Sequence, residues 1–430
     1  MRVNRGWFFW SGLTSIATLS ALVVNWYFTQ ATCQPHHLPS SSSPLAILSC
    51  MLSGNGGTER YVLAQQKEFL KQGTAAVIIC APHSFLAEEC EKEQHPYLTC
   101  SPSRLRIGGW IMMPGFRYAL HFLEKSYPNK LLALHCSHRH EVMVGASSSL
   151  NIPLLLTQHT PSTLAAPVRK AADAIITVNH SCEKKLRALN RKDHLEGKSL
   201  ITLPPFFNPA PHLSFIPSLP REVYFKQNFN LELQPGRPIL IKVAHFYDKL
   251  LHKNHALLLQ ALYKLIYEYK KPVTVLLVGA GPQVALYKKK TQELGLSEYV
   301  HFLGNVENTA PLFHYADINL LSSSEEAFGI VLLEGGLHKK PTIIAREGCG
   351  AADWLIIDKE TGFLFQNNNA ADLAATIRFV LTHPTQATTC GTNLYQKIIN
   401  EFLPEHTTIM MLQLYARLLE EKRLQHALPV

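Results

Sequence analysis

Short apolar runs with no polar alternation recur along this chain, and they restrict its fold more than any other feature. LAILSCML, AAVIIC, LLALHC, IPLLLTQ, AIITVN and SLITLP occupy the first half; PILIKVAH, VTVLLVG, VHFLG, INLLSS and TIIA occupy the second. A strand apolar on both faces belongs in a sheet covered on both sides, which in practice is a parallel sheet flanked by helices. Most of the runs are separated by stretches with helical spacing. In TERYVLAQQKEFLKQG, Tyr61, Val62, Phe69 and Leu70 recur at that spacing and Gly73 ends the pattern. A long helix is expected from about Asn254 to Tyr269, and a last one in TIMMLQLYARLLEEKRL after Pro404. Eight prolines fall between Leu203 and Pro238, so an irregular segment joins the two series. The expected class is α/β, with two doubly wound Rossmann-like domains facing a central cleft.

A chain of 430 residues has room for two such cores. The expected division is a first domain over 44–205, a Pro-rich connection over 206–236, a second domain over 237–404, and a C-terminal helix over 405–430 able to pack back toward the first domain. Residues 33–43, rich in Pro, Ser and His, read as a linker, and 1–32 as a membrane anchor or signal segment. Within the latter, Arg2 and Arg5 precede WFFWSGLTSIATLSALVVNWYF, residues 7–28. As a helix this stretch spans about 33 Å, close to a bilayer core. Aromatic residues bracket it, as in a spanning helix. A single-pass N-terminal anchor is the expectation; the alternative is a signal peptide cleaved near Thr29-Gln30-Ala31. No Lys or Arg follows until Arg60, so the charge bias by itself places the bulk of the chain on the far side.

Hydrophobic residues make up 47% and charged residues 17%, a globular composition. The formal charge is +9, with basic clusters at Lys184-Lys185, Arg191-Lys192 and Lys288-Lys289-Lys290. These read as solvated faces, or as sites for an anionic membrane surface or a phosphate-rich ligand. There is no zinc-type CxxC pair and no aromatic–basic interleaving, so nucleic acid is not an expected partner. The nine cysteines are scattered; Cys80, Cys90 and Cys100 are spaced for local pairing, but nothing marks a disulfide framework.

Several residues carry chemistry at strand ends. SGNGGTER follows the first strand and opens a helix, where Gly54, Gly56 and Gly57 allow close approach of backbone to a ligand. VGAGP follows a strand of the second series, with Gly279 and Gly281 in the turn. Lys253 starts a helix after ILIKVA and can reach phosphates at the domain interface. His135 and His159 end LLALH and IPLLLTQH, where open α/β sheets bind ligands, and either can bond a sugar hydroxyl or simply finish a strand. In SSSEEAFGIVLLEGG, Glu326 lies in the loop after INLLSS, Phe328-Gly329 turn the chain, and Glu334 follows within an apolar helix. A carboxylate can accept two hydrogen bonds from a vicinal diol, and both ribose and a hexose present one. Two acids set so suggest a nucleotide sugar lying across the helix end; the plain alternative is a cap and a surface acid.

In this order these motifs resemble the retaining GT-B glycosyltransferases of family 4, from about Leu45 to Leu419. SSSEEAFGIVLLEGG looks like that family's E-x-F-G-x-x-x-x-E signature. GGTERYVLAQQKEFLKQG, LTQHTPS, HFLGNVENTAPLFHYADINLLSSS and DWLIIDKETGFLF support the resemblance. It implies that Glu334 holds the ribose hydroxyls and that Glu326, with the backbone of Phe328 and Gly329, contacts the donor sugar. Lys253 would neutralise the diphosphate, Gly279 and Gly281 would approach the nucleotide, Gly56 and Gly57 would approach phosphates or acceptor, and His159 would face the sugar near the reaction centre. The chain departs from the pattern in three places. His245 in Ala244-His245-Phe246 replaces an arginine that shares the diphosphate, Ser323 stands near the usual proline, and EGGLHKKP replaces EAMACGxP.

The implied reaction moves a sugar from a nucleoside diphosphate to a hydroxyl with retention, in glycan, glycolipid or cell-envelope polysaccharide synthesis. No metal or other cofactor is expected: there are seven aspartates and no Asp-x-Asp pair. The alternatives are a nucleotide-sugar-binding protein without turnover and another GT-B enzyme such as a nucleotide-sugar epimerase. A lipid-linked or glycan acceptor is expected from the anchor and basic surface. Because nucleotide sugars are cytosolic in bacteria, and because the sequon Asn179-His180-Ser181 ends a core strand, the catalytic part is expected to face the cytosol despite the charge bias.

Overall fold

The structure, a computed structural model, describes residues 31–52, 56–107, 110–159, 164–247 and 253–427, with Asn25 and Thr29. The expected membrane span, 7–28, lies almost wholly outside these. Among the described residues no helix is long and apolar enough to cross a membrane.

The first series of apolar runs builds an eight-stranded sheet. Its strands are β1 (Cys33–His36), β2 (Leu45–Cys50), β3 (Ala75–Cys80), β4 (Tyr97–Cys100), β7 (Leu131–Cys136), β8 (Leu154–Gln158), β9 (Ala174–Thr177) and β10 (Ser199–Thr202). A separate two-stranded hairpin, β5 (Leu105–Ile107) and β6 (Trp110–Met112), lies between β4 and β7 in sequence. The order across the sheet is β1-β4-β3-β2-β7-β8-β9-β10, parallel except for β1. All six residues of β2 are buried, as its central place requires. Residues 33–43, expected as linker, open instead with β1, which pairs antiparallel with β4 through Cys33–Cys100 to His36–Tyr97. An edge strand needs no apolar face, and CQPH has none. All nine cysteines are free, Cys80, Cys90 and Cys100 included.

The second series builds a six-stranded parallel sheet from β11 (Ile239–Val243), β12 (Thr274–Val278), β13 (Val300–Gly304), β14 (Ile318–Leu321), β15 (Thr342–Ala345) and β16 (Phe363–Phe365). Its order is β13-β12-β11-β14-β15-β16, the doubly wound arrangement in which chain direction across the sheet reverses between β11 and β14. The first sheet reverses likewise between β2 and β7. The helix expected over 254–269 runs from His255 to Tyr263 and widens into a π-turn over Lys264–Glu268.

The connection over 206–236 is not wholly irregular. It holds helices Ala210–Leu213 and Arg221–Phe229, and the second buries Phe225 among Ile239, Ile241, Leu276 and Phe313 of the second lobe. The last helix, Pro404–Ala427, lies against helix Gly57–Lys71 and β7 of the first lobe. There the Tyr415 hydroxyl is 2.6 Å from His135 Nδ1, whose Nε2 is 2.6 Å from Thr157 Oγ1. Lys71 pairs with Glu405 at 2.6 Å and Lys422 with Asp173 at 2.8 Å. One apolar cluster then runs between the lobes, joining Tyr61 and Phe206 to Phe328, Leu332, Phe402 and Tyr415. Asn179 Nδ2 donates to the Ala327 carbonyl at 2.6 Å across the same boundary.

Both His135 and Tyr415 are enclosed, and removing the hydroxyl takes one partner from His135 Nδ1, which keeps Gln65 Nε2 at 3.0 Å. Tyr415→Phe is expected to lower stability by roughly 0.5–1.5 kcal/mol in chemical denaturation, the net value of one hydrogen bond. Ile409→Ala and Met410→Ala, exposed on the same helix, should stay within about 0.5 kcal/mol of wild type.

Candidate active site

The reversal point of the second sheet brings the turn after β11 beside the loop after β14. Open α/β sheets bind ligands in such a crevice, at the carboxyl ends of their strands. The turn after β11 is Ala244-His245-Phe246, and it packs directly on the turn after β12. Phe246 N–H donates to the Ala280 carbonyl at 3.0 Å and Gln283 N–H to the Phe246 carbonyl at 3.0 Å. Gly279 and Gly281 have φ of +138° and +153°, and a Cβ on either would fall 2.1 Å from the Ala244 carbonyl oxygen or 2.2 Å from that of Phe246. Glycine is therefore demanded here by the chain's own backbone, which accounts for VGAGP without a ligand. His245 is exposed at the turn. Burial of its ring by neighbouring groups, and the charges of Lys253 and Arg60, push its pKa below the ordinary histidine value.

Lys253 Nζ lies 2.5 Å from Glu326 Oε2, with side chains 22% and 17% exposed. The two motif residues therefore meet as a partly shielded ion pair at the reversal point. Beneath them is Lys242 on β11, fully buried. Its Nζ donates to Ser322 Oγ at 2.5 Å and to the Lys253 carbonyl, and Ser322 Oγ donates to the Asn254 carbonyl at 3.1 Å. Burial, then the neighbouring Lys253 charge, hold the Lys242 pKa well below the ordinary lysine value, with Glu326 opposing. The sequence reading passed over Lys242. Its signal was a lone lysine inside the apolar run ILIKV.

The Glu326 loop is pinned by backbone bonds: Glu326 N–H to the Gly348 carbonyl at 2.7 Å and Gly350 N–H to the Glu326 carbonyl at 3.0 Å. Phe328 is buried against Trp354 and Phe402, so its ring packs in the core between the lobes and only its backbone is left for a donor. Gly329, at φ +91°, turns the chain into helix Ile330–Gly336. On that helix Glu334 is half-buried; desolvation raises its carboxyl to about 7, while Arg60 and a hydrogen bond from Thr309 pull the other way. Arg60 belongs to the first lobe, one turn into helix Gly57–Lys71, and its guanidinium lies over the Phe85 ring at 5.4 Å. Its field acts on both Glu334 and His245 of the second lobe, so it faces them across the cleft. An arginine at a helix start reads as a solvated residue, and no local pattern announced this role.

The remaining expectations fare unequally. Gly54 lies outside the described residues. Gly56 caps helix Gly57–Lys71, but its N–H donates to the buried carboxylate of Glu59 at 3.1 Å. That acid holds the helix start which was expected to receive an anion. His159 ends β8 with its Nε2 buried and without a hydrogen-bond partner among the described residues, its ring edge-on to Tyr61 at 4.6 Å. Burial lowers its pKa to about 4. His135 does not join it at the cleft, since its ring is engaged with Thr157, Gln65 and Tyr415 under the last helix.

Residues 224–397 match the family model described as Glycosyl transferases group 1. The second lobe is thus a glycosyltransferase group 1 domain, and the chain as a whole has an α/β, GT-B-like fold. D-rhamnosyltransferase WbpZ of Pseudomonas aeruginosa is 36% identical over 123 residues, covering 28% of this chain and 32% of that protein. The lipopolysaccharide core biosynthesis glycosyltransferase LpsE of Rhizobium meliloti is 26% identical over 187 residues, 43% of this chain and 52% of that one. The matched stretches therefore span about a third to a half of these relatives' length. Among solved structures, a glycosyltransferase from Rickettsia africae superposes with a TM-score of 0.72 at 19% identity, covering 88% of this chain and 99% of that chain. Anabaena HepE in complex with UDP and glucose superposes at 0.69 and 18%, covering 87% and 100%.

The folded-state pKa of Glu334, about 7, lies above that of an unfolded glutamate, so folding takes up a proton between about pH 4.5 and 7 and stability falls as pH rises through that window. Glu334→Gln removes the cost of ionising a shielded acid. It is expected to gain of the order of 2–3 kcal/mol over wild type above pH 7 and nothing near pH 4, read by denaturant midpoints across pH.

Proposed function

We propose that this protein transfers a sugar from a nucleoside diphosphate donor to a hydroxyl acceptor, with retention of the anomeric configuration. The observation that carries the reading is the Lys253–Glu326 pair at the reversal point of the second sheet, with Glu334, His245 and Arg60 around the same cleft. Glu334 accepts the two ribose hydroxyls. Glu326 takes hydroxyls of the donor sugar, which releases Lys253 from its ion pair to the diphosphate. Lys253, Arg60 and a protonated His245 then face the leaving group. The bond from the anomeric carbon to the diphosphate breaks with its electron pair leaving on phosphate oxygen, charge that fixed cations stabilise as it grows. The acceptor oxygen bonds to the anomeric carbon and its proton is released. His159, with an unpartnered Nε2 at the end of β8, offers a hydrogen bond to the sugar. Apolar residues 7–28 would set this cleft beside a membrane, within reach of a lipid-linked or glycan acceptor.

The first experiment is a thermal-shift panel of nucleotide sugars, starting with UDP-sugars because HepE was solved with UDP and glucose. Transfer with the best donor, followed by the anomeric proton in NMR, should show a retained product. Lys253→Ala and Glu326→Ala should each lower turnover by roughly 10²–10³-fold. An inverted product would overturn the stereochemical part. Donor binding with no turnover in wild type or variants would favour a binding protein, and release of an epimerised free sugar would favour an epimerase.

His245 adds a pH dependence. Without donor its pKa is depressed, and a bound diphosphate raises it by opposing Lys253 and Arg60. Binding then takes up a proton, so donor affinity is expected to tighten as pH falls from about 7 toward 5.5. In His245→Asn that slope should flatten; an unchanged slope would show that the imidazole does not touch the diphosphate.

A further inference from the structure

The loop that carries Glu326 is held from the first lobe as well as from its own. Asn179 follows β9 and caps helix His180–Lys192, where its Oδ1 accepts from Cys182 N–H at 2.6 Å. Its Nδ2 donates across the boundary to the Ala327 carbonyl, also at 2.6 Å. The flipped amide would set N–H against N–H and oxygen against oxygen, so both ends of this one side chain are committed. Asn179 is 2% exposed. The approach is close: a Cβ on Gly350 would fall 1.9 Å from the Ala327 oxygen and 2.7 Å from Asn179 Cβ. His180, next along, stands over Trp354 of the second lobe with 4.8 Å between ring centroids.

Along this loop, carbonyls are engaged where amides are not. The Ser324 carbonyl accepts from Asn367 Nδ2 at 2.8 Å, that of Glu326 from Gly350 N–H at 3.0 Å, and that of Ala327 from Asn179. Glu326 N–H donates to the Gly348 carbonyl at 2.7 Å, but the N–H groups of Ala327, Phe328 and Gly329 donate to no described residue. Phe328 is buried, and a folded chain seldom leaves an enclosed N–H without an acceptor. In a trans peptide the Ala327 carbonyl and the Phe328 N–H point opposite ways from one rigid plane. By holding the carbonyl, Asn179 turns that N–H away from the first lobe's helix.

We propose that Asn179 is a positioning residue: from the first lobe it fixes the Ala327–Phe328 peptide so that the Phe328 N–H is presented to the sugar of the donor. The proposal rests on the glycosyl-transfer reading. It makes the aim of a donor-side amide depend on the lobes being together, because the bond that sets it crosses between them.

The test uses the full chain with Asn179→Asp and Asn179→Ser, both of which keep an oxygen to cap the helix. An ionised carboxyl has no hydrogen for the Ala327 carbonyl, and serine is too short to reach it while capping. UDP binding is measured by calorimetry, UDP release from UDP-glucose by a coupled assay, and amide exchange over residues 324–330 by mass spectrometry. At about pH 8 both variants are expected to bind UDP as wild type does, to release UDP about tenfold or more slowly, and to exchange the loop amides faster. Below that pH the carboxyl of Asn179→Asp, enclosed beside a carbonyl, takes up a proton, and as an acid it can donate where the amide did. Its turnover relative to wild type should climb as pH falls toward about 5.5, while the ratio for Asn179→Ser stays flat. His180 and Glu183 on the helix, and Glu326 and Cys349 on the segments packed against it, are common to all three chains and drop out of these ratios. Equal, pH-independent losses in the two variants would mean packing alone and overturn the proposal, as would full turnover by Asn179→Asp at about pH 8. Should wild type release UDP from UDP-glucose or from no donor of the thermal-shift panel, the transfer reading fails instead; loop exchange identical in all three chains would still show that Asn179 does not hold the peptide.

Discussion

A buried amine organises the crevice of the second lobe. Lys242 has no access to water, and a lysine in that position is tolerable only with its hydrogens satisfied and its charge suppressed. Its partners, Ser322 Oγ and the Lys253 carbonyl, lie on the loop after β14 and on the segment leading into helix His255–Tyr263. One side chain thus fixes the separation of the two segments that carry Glu326 and Lys253. The ion pair above it is partly shielded and held at 2.5 Å, so Lys253 is already aimed at the crevice before any ligand arrives.

The second constraint is the apolar contact that keeps the lobes in register. Phe328 turns away from the crevice into a cluster with Trp354 and Phe402, while its neighbours Glu326 and Gly329 shape the crevice itself. The same short loop therefore serves as wall of the site and as anchor between lobes. The last helix closes the arrangement from the other end, leaving the second lobe and crossing to the first, where Tyr415 meets His135. Just before the chain crosses, a π-turn over Ile398–Phe402 replaces regular helix.

Much of this was legible in the sequence. Unbroken apolar runs identified most strands of both sheets, since a strand buried on two faces leaves little choice of side chain. Cys33–His36 was missed because an edge strand carrying Pro35 and His36 needs only a neighbour's backbone, and Tyr97–Cys100, buried between β1 and β3, because four residues that include Thr99 make too short a run. Phe225 was hidden in a segment that its prolines marked as irregular. At the site, spacing and motif order singled out Glu326, Glu334 and Lys253, of which Glu326 and Lys253 meet as an ion pair. The glycines of VGAGP are required by two packed backbone turns, whether or not a ligand also approaches them. Arg60 could not be read locally. Its role depends on how the lobes stack, and a charged residue near a helix start looks the same whether it faces water or a second lobe.

The two reversal points differ in a way that bears on how substrates are sorted. The second lobe mixes acids with cations, a set suited to a molecule that is both polyol and anion. At the first lobe's reversal point the acid Glu141 is instead turned inward and bound four times over. Arg60 lies between them, projecting from the first lobe toward Glu334 and His245 of the second. With the lobes apart, that guanidinium would lose both neighbours; with them together, it adds a second cation beside Lys253 and the neutral imidazole of His245. Repulsion between the two cations opposes closure of the empty cleft, and an anion placed between them would reverse the sign of that term. The chain's departure from arginine to histidine at position 245 moderates this repulsion, because a neutral imidazole carries no charge until an anion arrives to protonate it.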